Sequence, residues 1–361
     1  MGKQTSVSKN WLIYLIILIP LISSADNQND LQYQDLTINQ HIVRTVTINP
    51  AKYKIINATA QSIQENTTSV DNLAKANNAL AGINGGFFRK IDNNFSVPAG
   101  ILKVNNIWHG IAYRNRAAIG WDPISNQVLI DRITTKSFVN LGTTKLPINY
   151  FNPNNPDNNQ INQKIIVYSN IYPNFKNFDL NLNLTKNRQN FLITINNTNN
   201  SDNTPAYIFN VNNNHPDILE LQLSAIKSAA LEVTVYPELN PQTKQIWNNM
   251  PFITSGAPVL IKDNQKLSDY EAEEVSTDFI NNDYPRTAIG ILNNGFWLLA
   301  VTQSISIPEL ADIMAKLNCK DAINLDGGGS SDLYISKELS ANAELLSLVN
   351  HVTDAVLVLP N

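Results

Sequence analysis

The sequence predicts an α+β fold: a mixed or antiparallel sheet core carrying a few helices. Three observations predict it. Short runs rich in β-branched and aromatic residues recur along most of the chain. Only two stretches combine a capping residue with a helical apolar period. Polar, proline-punctuated segments at 152–163, 196–204 and 212–216 interrupt the strand runs without ending them, so they read as long surface loops of one domain.

Taken in order, residues 1–25 have the form of an export leader. Lys3 and Lys9 precede an apolar core at 11–22, and Ser23, Ser24 and Ala25 are small enough for cleavage there. The core is short for a membrane span, which needs ~20 residues. A mature chain of 26–361 loses two lysines and no acid, so the formal charge moves from −4 to −6. That charge suits neither nucleic acid nor an anionic membrane as a partner. Cys319 is the only cysteine, so no internal disulfide can form. Export without disulfides fits a secreted or periplasmic bacterial protein.

Strand patterns follow at 42–48, 117–121, 128–133, 165–168, 191–195, 231–236, 259–261, 288–292, 296–302 and 353–359. Ser69 can cap a first helix running to about residue 80. Ser306 and Glu309 form a capping box with Pro308 in the first turn, ahead of Leu310, Ile313, Met314 and Leu317 on one face. Asn318 is a plausible stop. No internal repeat or domain boundary stands out.

Chemistry concentrates in three glycine-rich places. The apolar run 322–325 ends in Asp326, followed by Gly327, Gly328, Gly329, Ser330 and Ser331. An acid at a strand end, with glycines that admit a ligand closely and hydroxyls beside them, suits an anion-binding turn; a tight hairpin is the structural alternative. Asn84, Gly85 and Gly86 end a short apolar segment, either as part of a site or as a bulge. Arg286 and Thr287 open the strand at 288–292; the guanidinium fork suits phosphate, and a surface ion pair is the alternative. Residues 254–258 read as a turn. Glu309 is a candidate catalytic carboxylate, although its capping position accounts for it. Glu271, Glu273, Glu274 and Asp278 read as a solvated acidic face. His41, His109, His215 and His351 lack metal-ligand spacing, so no metal or cofactor is expected, and activity should survive chelators. Gly-x-Ser-x-Gly and a P-loop lysine are both missing.

These motifs carry a resemblance. Asn84-Gly85-Gly86-Phe87-Phe88, the run from Pro285 to Gly290 and the run from Asn324 to Ser331, in that order, are similar to the phosphodiester glycosidase family. Pro98-Ala99-Gly100, Ser255-Gly256-Ala257-Pro258 and the helix from Pro308 match weaker landmarks. The resemblance spans about 42–359. It implies a glycosidase that cleaves a sugar from a phosphodiester, with glycosyl-phosphate or polysaccharide as substrate and an N-acetylhexosamine in envelope or extracellular polysaccharide as the expected sugar. Two family features are missing. An Asp-Gly-Arg expected after residues 301–304 is absent, and Val349-Asn350-His351 stands where many members carry Glu-Arg. The alternative is therefore an inactive member that binds sugar-phosphate polymers.

A phosphate leaving group is already acidic and needs charge neutralisation more than a proton. An ordinary glycosidase needs two carboxyl groups. One carboxylate, an arginine and N–H donors then suffice. On this reading Asp326 is nucleophile or general base, and Arg286 clamps the phosphate. Gly327 to Ser331 form the anion nest, Asn84, Gly85 and Gly86 shape the opposite wall, Thr287 binds substrate beside Arg286, and Glu309 is held in reserve.

Overall fold

The computed structural model describes residues 29–91, 95–112, 114–152, 165–171, 190–196, 205–212, 229–340 and 351–361. The expected leader, His215 and nearly all of the three polar loops lie outside them.

The architecture is mostly β, with helices that are fewer and shorter than an even α+β mixture. The first sheet runs in the order β1 (Leu31–Ile38), β2 (His41–Ile48), β21 (Trp297–Ile305), β20 (Tyr284–Leu292), β22 (Cys319–Asn324), β18 (Val259–Lys262), β19 (Gln265–Lys266). The second runs β11 (Thr144–Pro147), β10 (Gln127–Leu141), β9 (Arg116–Asp122), β17 (Phe252–Ser255), β7 (Leu102–Val104), β8 (Ile107–Gly110), with β16 (Ala229–Pro237) also on β10. The third runs β23 (Leu333–Ile335), β4 (Ala81–Asn84), β24 (Asp354–Pro360), β3 (Tyr53–Thr59). All three are antiparallel. A fourth holds β12 (Tyr150–Phe151), β13 (Ile165–Ser169), β15 (Pro205–Asn212) and β14 (Asn190–Asn196), and its β12–β13 pair is parallel. β5 (Phe88–Lys90) and β6 (Ser96–Pro98) form a separate hairpin.

The first sheet is covered on both faces, which explains its nearly continuous apolar strands. On β20, Ile289 and Ile291 point into a core shared with the second and third sheets. Ala288 and Leu292 point the other way, toward α4 (Ile307–Lys316). Trp121 joins the sheets: it stacks on Phe252 at 5.4 Å and meets Trp297 edge-on at 5.6 Å. Its Nε1 donates to the Ile55 carbonyl at 2.9 Å.

α4 begins in the expected capping box, and Asn318 takes the left-handed conformation that stops it. α1 (Val70–Ala76) is capped by Ser69 as expected but is shorter than its pattern. The Asn77 amide turns back onto the Leu73 carbonyl at 2.8 Å, and Asn78 enters the left-handed region. Leu80 then donates to the Val358 carbonyl and leads into β4. β10 extends well past its apolar run at 128–133, because β16 continues the ladder through its polar residues Thr134 to Ser137. Two short helices, α2 (Lys244–Asn249) and α3 (Thr277–Asn281), carry too little period to be read from sequence. Among the described residues no helix is long and apolar enough to cross a membrane.

Candidate active site

The three motifs meet where β4 and β22 end and β20 and β24 begin. Register brings this about: Ala355 pairs with Asn84, and Ala288 pairs with Asn324. Two fully buried asparagines lock the corner, because an amide offers donor and acceptor in one plane. Asn84 Nδ2 donates to the Asp326 carbonyl at 2.9 Å. Its Oδ1 accepts from Thr287 Oγ1 at 2.8 Å and from the Asp332 N–H at 3.2 Å. Asn324 Nδ2 donates to the Ala257 carbonyl at 2.6 Å, tying in the turn at 254–258.

The expected opposite wall is therefore close-packed. Asn84, Gly85 and Thr287 are buried, and Thr287 Oγ1 bonds Asn84 within the corner, holding the loop in place. A Cβ on Gly85 would lie 1.9 Å from Asp354 Oδ2, and one on Gly86 2.4 Å from the Ser255 carbonyl oxygen. Real Cβ atoms do not approach that closely, so both positions need glycine.

Asp326 is half-buried. Its Oδ1 accepts from the Gly327 N–H at 2.9 Å, and the Ser330 side chain also bonds it. Burial pushes its carboxyl up to about 6, against those hydrogen bonds, and the Asp354 charge adds to the rise. Gly328 turns with φ +61°, and Gly328–Ser330 form one 3-10 turn. The N–H groups of Ser330 and Ser331 close that turn onto Gly327 and Gly328. The expected five-residue nest thus narrows to the N–H groups of Gly328 and Gly329.

Sequence reasoning missed Asp354. It is 2% exposed. Asn57 Nδ2 donates to its Oδ2 at 2.8 Å and Thr353 Oγ1 to its Oδ1 at 3.2 Å. Burial pushes this carboxyl, too, up to about 6. The available signal was an acid near the start of the otherwise apolar strand run at 353–359.

Arg286 is fully buried, which removes the surface ion-pair reading. Nε donates to the Ile305 carbonyl at 3.0 Å; Nη2 donates to those of Phe279 and Asn282, each at 2.8 Å. Nη1 has no hydrogen-bond partner. Among the described residues, no carboxylate forms an ion pair with the guanidinium. It lies over the Phe279 ring at 4.7 Å, and burial pushes its pKa down to about 10. A Cβ on Gly327 would lie 3.7 Å from Arg286 Cδ, so the acidic loop sits directly against it. Three further buried polar atoms of this corner lack partners: Asn57 Oδ1, Asn324 Oδ1 and Ser331 Oγ. Buried polar groups are nearly always satisfied, by protein or by bound water. In front of Phe279, which meets Phe87 edge-on at 5.9 Å, a cleft of about 340 Å³ opens. Gly100, Arg116, Ser255 and Glu274 also line it.

Glu309 holds the capping position the sequence assigns it, and one acidic-face expectation is corrected. Glu309 is committed to its helix: Oε2 accepts from the Ser306 N–H at 2.9 Å and from Ser306 Oγ at 2.8 Å. Those bonds hold its carboxyl below the usual range, the wrong direction for a general acid. Glu309→Ala should lower stability by about 0.5–1 kcal/mol and leave turnover unchanged, read by thermal melting alongside an activity assay. Glu273 is not solvated. It is fully buried, bonds Arg132 Nε at 3.1 Å, and accepts from the Ala117 and Val259 N–H groups; Glu271, Glu274 and Asp278 are exposed. Among the described residues no group of three His, Cys, Asp or Glu side chains is arranged to hold a metal.

The antiparallel β assembly is shared with solved structures. The chain is similar to a hypothetical protein from Synechocystis, with TM-score 0.64 and 20% identity over 92% of this chain. It spans 62% of that protein's length. A second similar structure is a Burkholderia pseudomallei protein described as a candidate exported protein, with TM-score 0.61, 17% identity and coverage of 89% of this chain and 74% of that one. The catalytic domain of zebrafish N-acetylglucosamine-1-phosphodiester alpha-N-acetylglucosaminidase aligns at TM-score 0.43 and 11% identity over 93% of this chain and 85% of that one, too distant to bear on the site. No curated protein matches the chain. The phosphodiester glycosidase family model matches residues 149–359, more than half the chain, and the chain belongs to that family. Arg286, Asp326 and Asp354 fall inside the match; Asn84 to Gly86 lie before it.

Proposed function

We propose that this corner hydrolyses the C1–O bond of a glycosyl-1-phosphodiester, and that the protein is exported and acts on envelope or extracellular polysaccharide, with an N-acetylhexosamine as the sugar. The observation that carries the reading is Arg286. A buried guanidinium without an acid partner, and with one nitrogen unbonded, is costly to fold and calls for an anion. Phosphate fits it in charge and in its acceptor oxygens. On this reading the phosphate lies against the Gly328 and Gly329 N–H groups and Arg286 Nη1, and the sugar occupies the cleft before Phe87 and Phe279. Asp326, ionised above about pH 6, attacks C1 or takes a proton from the attacking water. The C1–O electrons leave on a phosphate oxygen that needs no proton, because its charge is already neutralised.

The second reading, an inactive sugar-phosphate binder, is favoured by the missing Asp-Gly-Arg after residues 301–304, where Ile305, Ser306 and Ile307 follow. A panel of sugar-1-phosphodiesters offered to the purified protein separates the two. The enzyme reading predicts release of free sugar; saturable binding without release would establish the binder.

A further inference from the structure

We propose that Asp354 is a positioning residue for Asp326: a buried carboxylate, wedged behind Gly85, that keeps the neighbouring loop acid basic without touching substrate. The proposal rests on the reading that Asp326 is the acting carboxylate. One residue links the two acids. The Gly85 N–H donates to the Asp354 carbonyl at 2.8 Å, and the Gly85 carbonyl accepts from the Asp326 N–H at 3.4 Å. The Asp354 side chain fills the space a Gly85 side chain would need, with Oδ2 1.9 Å from an ideal Cβ. Thus a side chain at position 85 would displace the Asp354 carboxyl.

The groups facing Asp354 are neutral. Asn57 comes from β3, Thr353 precedes β24, the Gly85 and Gly86 backbone follows β4, and Thr254 belongs to β17. Asp326 faces Gly327 and Ser330 on its own loop. The other charged groups at the corner are Arg286, beyond Gly327, and Asp332, whose N–H binds Asn84. Among the described residues neither acid forms an ion pair, so the like charge of one reaches the other through a poorly screened interior. Two such carboxyls titrate as a coupled pair, and ionisation of one makes the other a stronger base. Asp354 sits behind Gly85 with its two oxygens held by Asn57 and Thr353, so it is placed to support the loop acid.

The test needs no substrate. The Asp326 carboxyl is titrated by 13C NMR in the native protein and in Asp354→Asn. The asparagine keeps the size and removes the charge. The Asp326 midpoint should fall by about half a unit to one unit. The reciprocal measurement, the Asp354 midpoint in Asp326→Asn, should fall equally, and it stands even where Asp354→Asn fails to fold. Midpoints that do not move would overturn the proposal and leave Asp354 as a filler behind Gly85. Given an active substrate, the acid limb of the kcat profile should move to lower pH in Asp354→Asn with KM unchanged. Coupled midpoints together with full turnover of Asp326→Asn would sink the catalytic reading of Asp326 and leave the coupling intact.

Discussion

Asp326→Asn should lower turnover of a sugar-1-phosphodiester by about 10²–10⁴-fold, the worth of one positioned base. The substitution keeps the side chain's size and much of its hydrogen bonding to Gly327 and Ser330. The same variant should be more stable than the native protein, and the sign follows from linkage. Burial pushes the folded carboxyl up to about 6, while a free aspartate titrates at about 3.9. Between those values the folded state holds a proton that the unfolded state has released. Stability therefore falls as pH rises through this window and stays lower above it. Asp326→Asn should gain on the order of 1–3 kcal/mol above pH 6, reduced by the part of the side chain that water reaches, and gain little below pH 4. Thermal melts at pH 4 and pH 7.5 check this; equal shifts at both would show that the carboxyl is not held high. An active but destabilised variant would return Asp326 to the role of a turn residue.

Arg286→Lys should lower kcat/KM on a phosphodiester about ten- to a hundredfold. Lysine keeps the charge but loses the fork, and a charge-assisted bond contributes roughly 1.5–3 kcal/mol. Arg286 also donates to three carbonyls, of Ile305, Phe279 and Asn282, so part of any loss is architectural. A sugar bearing a neutral aryl group at C1 separates the two contributions. With no phosphate to grip, its slow turnover should change little. An equal loss on both substrates would reduce Arg286 to a brace for β21 and α3, and no loss on either would remove the phosphate assignment.

The sequence marks the loci of this site better than their roles. A glycine triplet after an acid, an asparagine before two glycines and an arginine opening a strand are local patterns, and the fold gathers all three. Burial is not local. Asn84 and Thr287 read as ligand contacts because they are polar at strand ends, yet β24, remote in sequence, pairs over Asn84, and Thr287 turns its hydroxyl onto the Asn84 amide. Glu273 looks solvated in an acidic run; its burial depends on Arg132, far earlier in the chain. Asp354 is invisible for the same reason, since its partner Asn57 lies on β3, near the opposite end of the chain. Helix starts were legible because capping is local, as at Ser69 and Ser306. The stop of α1 was not, because it depends on Leu80 joining the sheet beside Val358.

The central claim is that the bond broken lies on the sugar side of the bridging oxygen. Hydrolysis of a sugar-1-phosphodiester in ¹⁸O-labelled water, with the phosphate product followed by ³¹P NMR, tests it most directly. Cleavage of C1–O leaves the bridging oxygen on phosphorus, so the released phosphate monoester should carry no label. A labelled phosphate would show attack at phosphorus, and would make this corner a phosphodiesterase site instead.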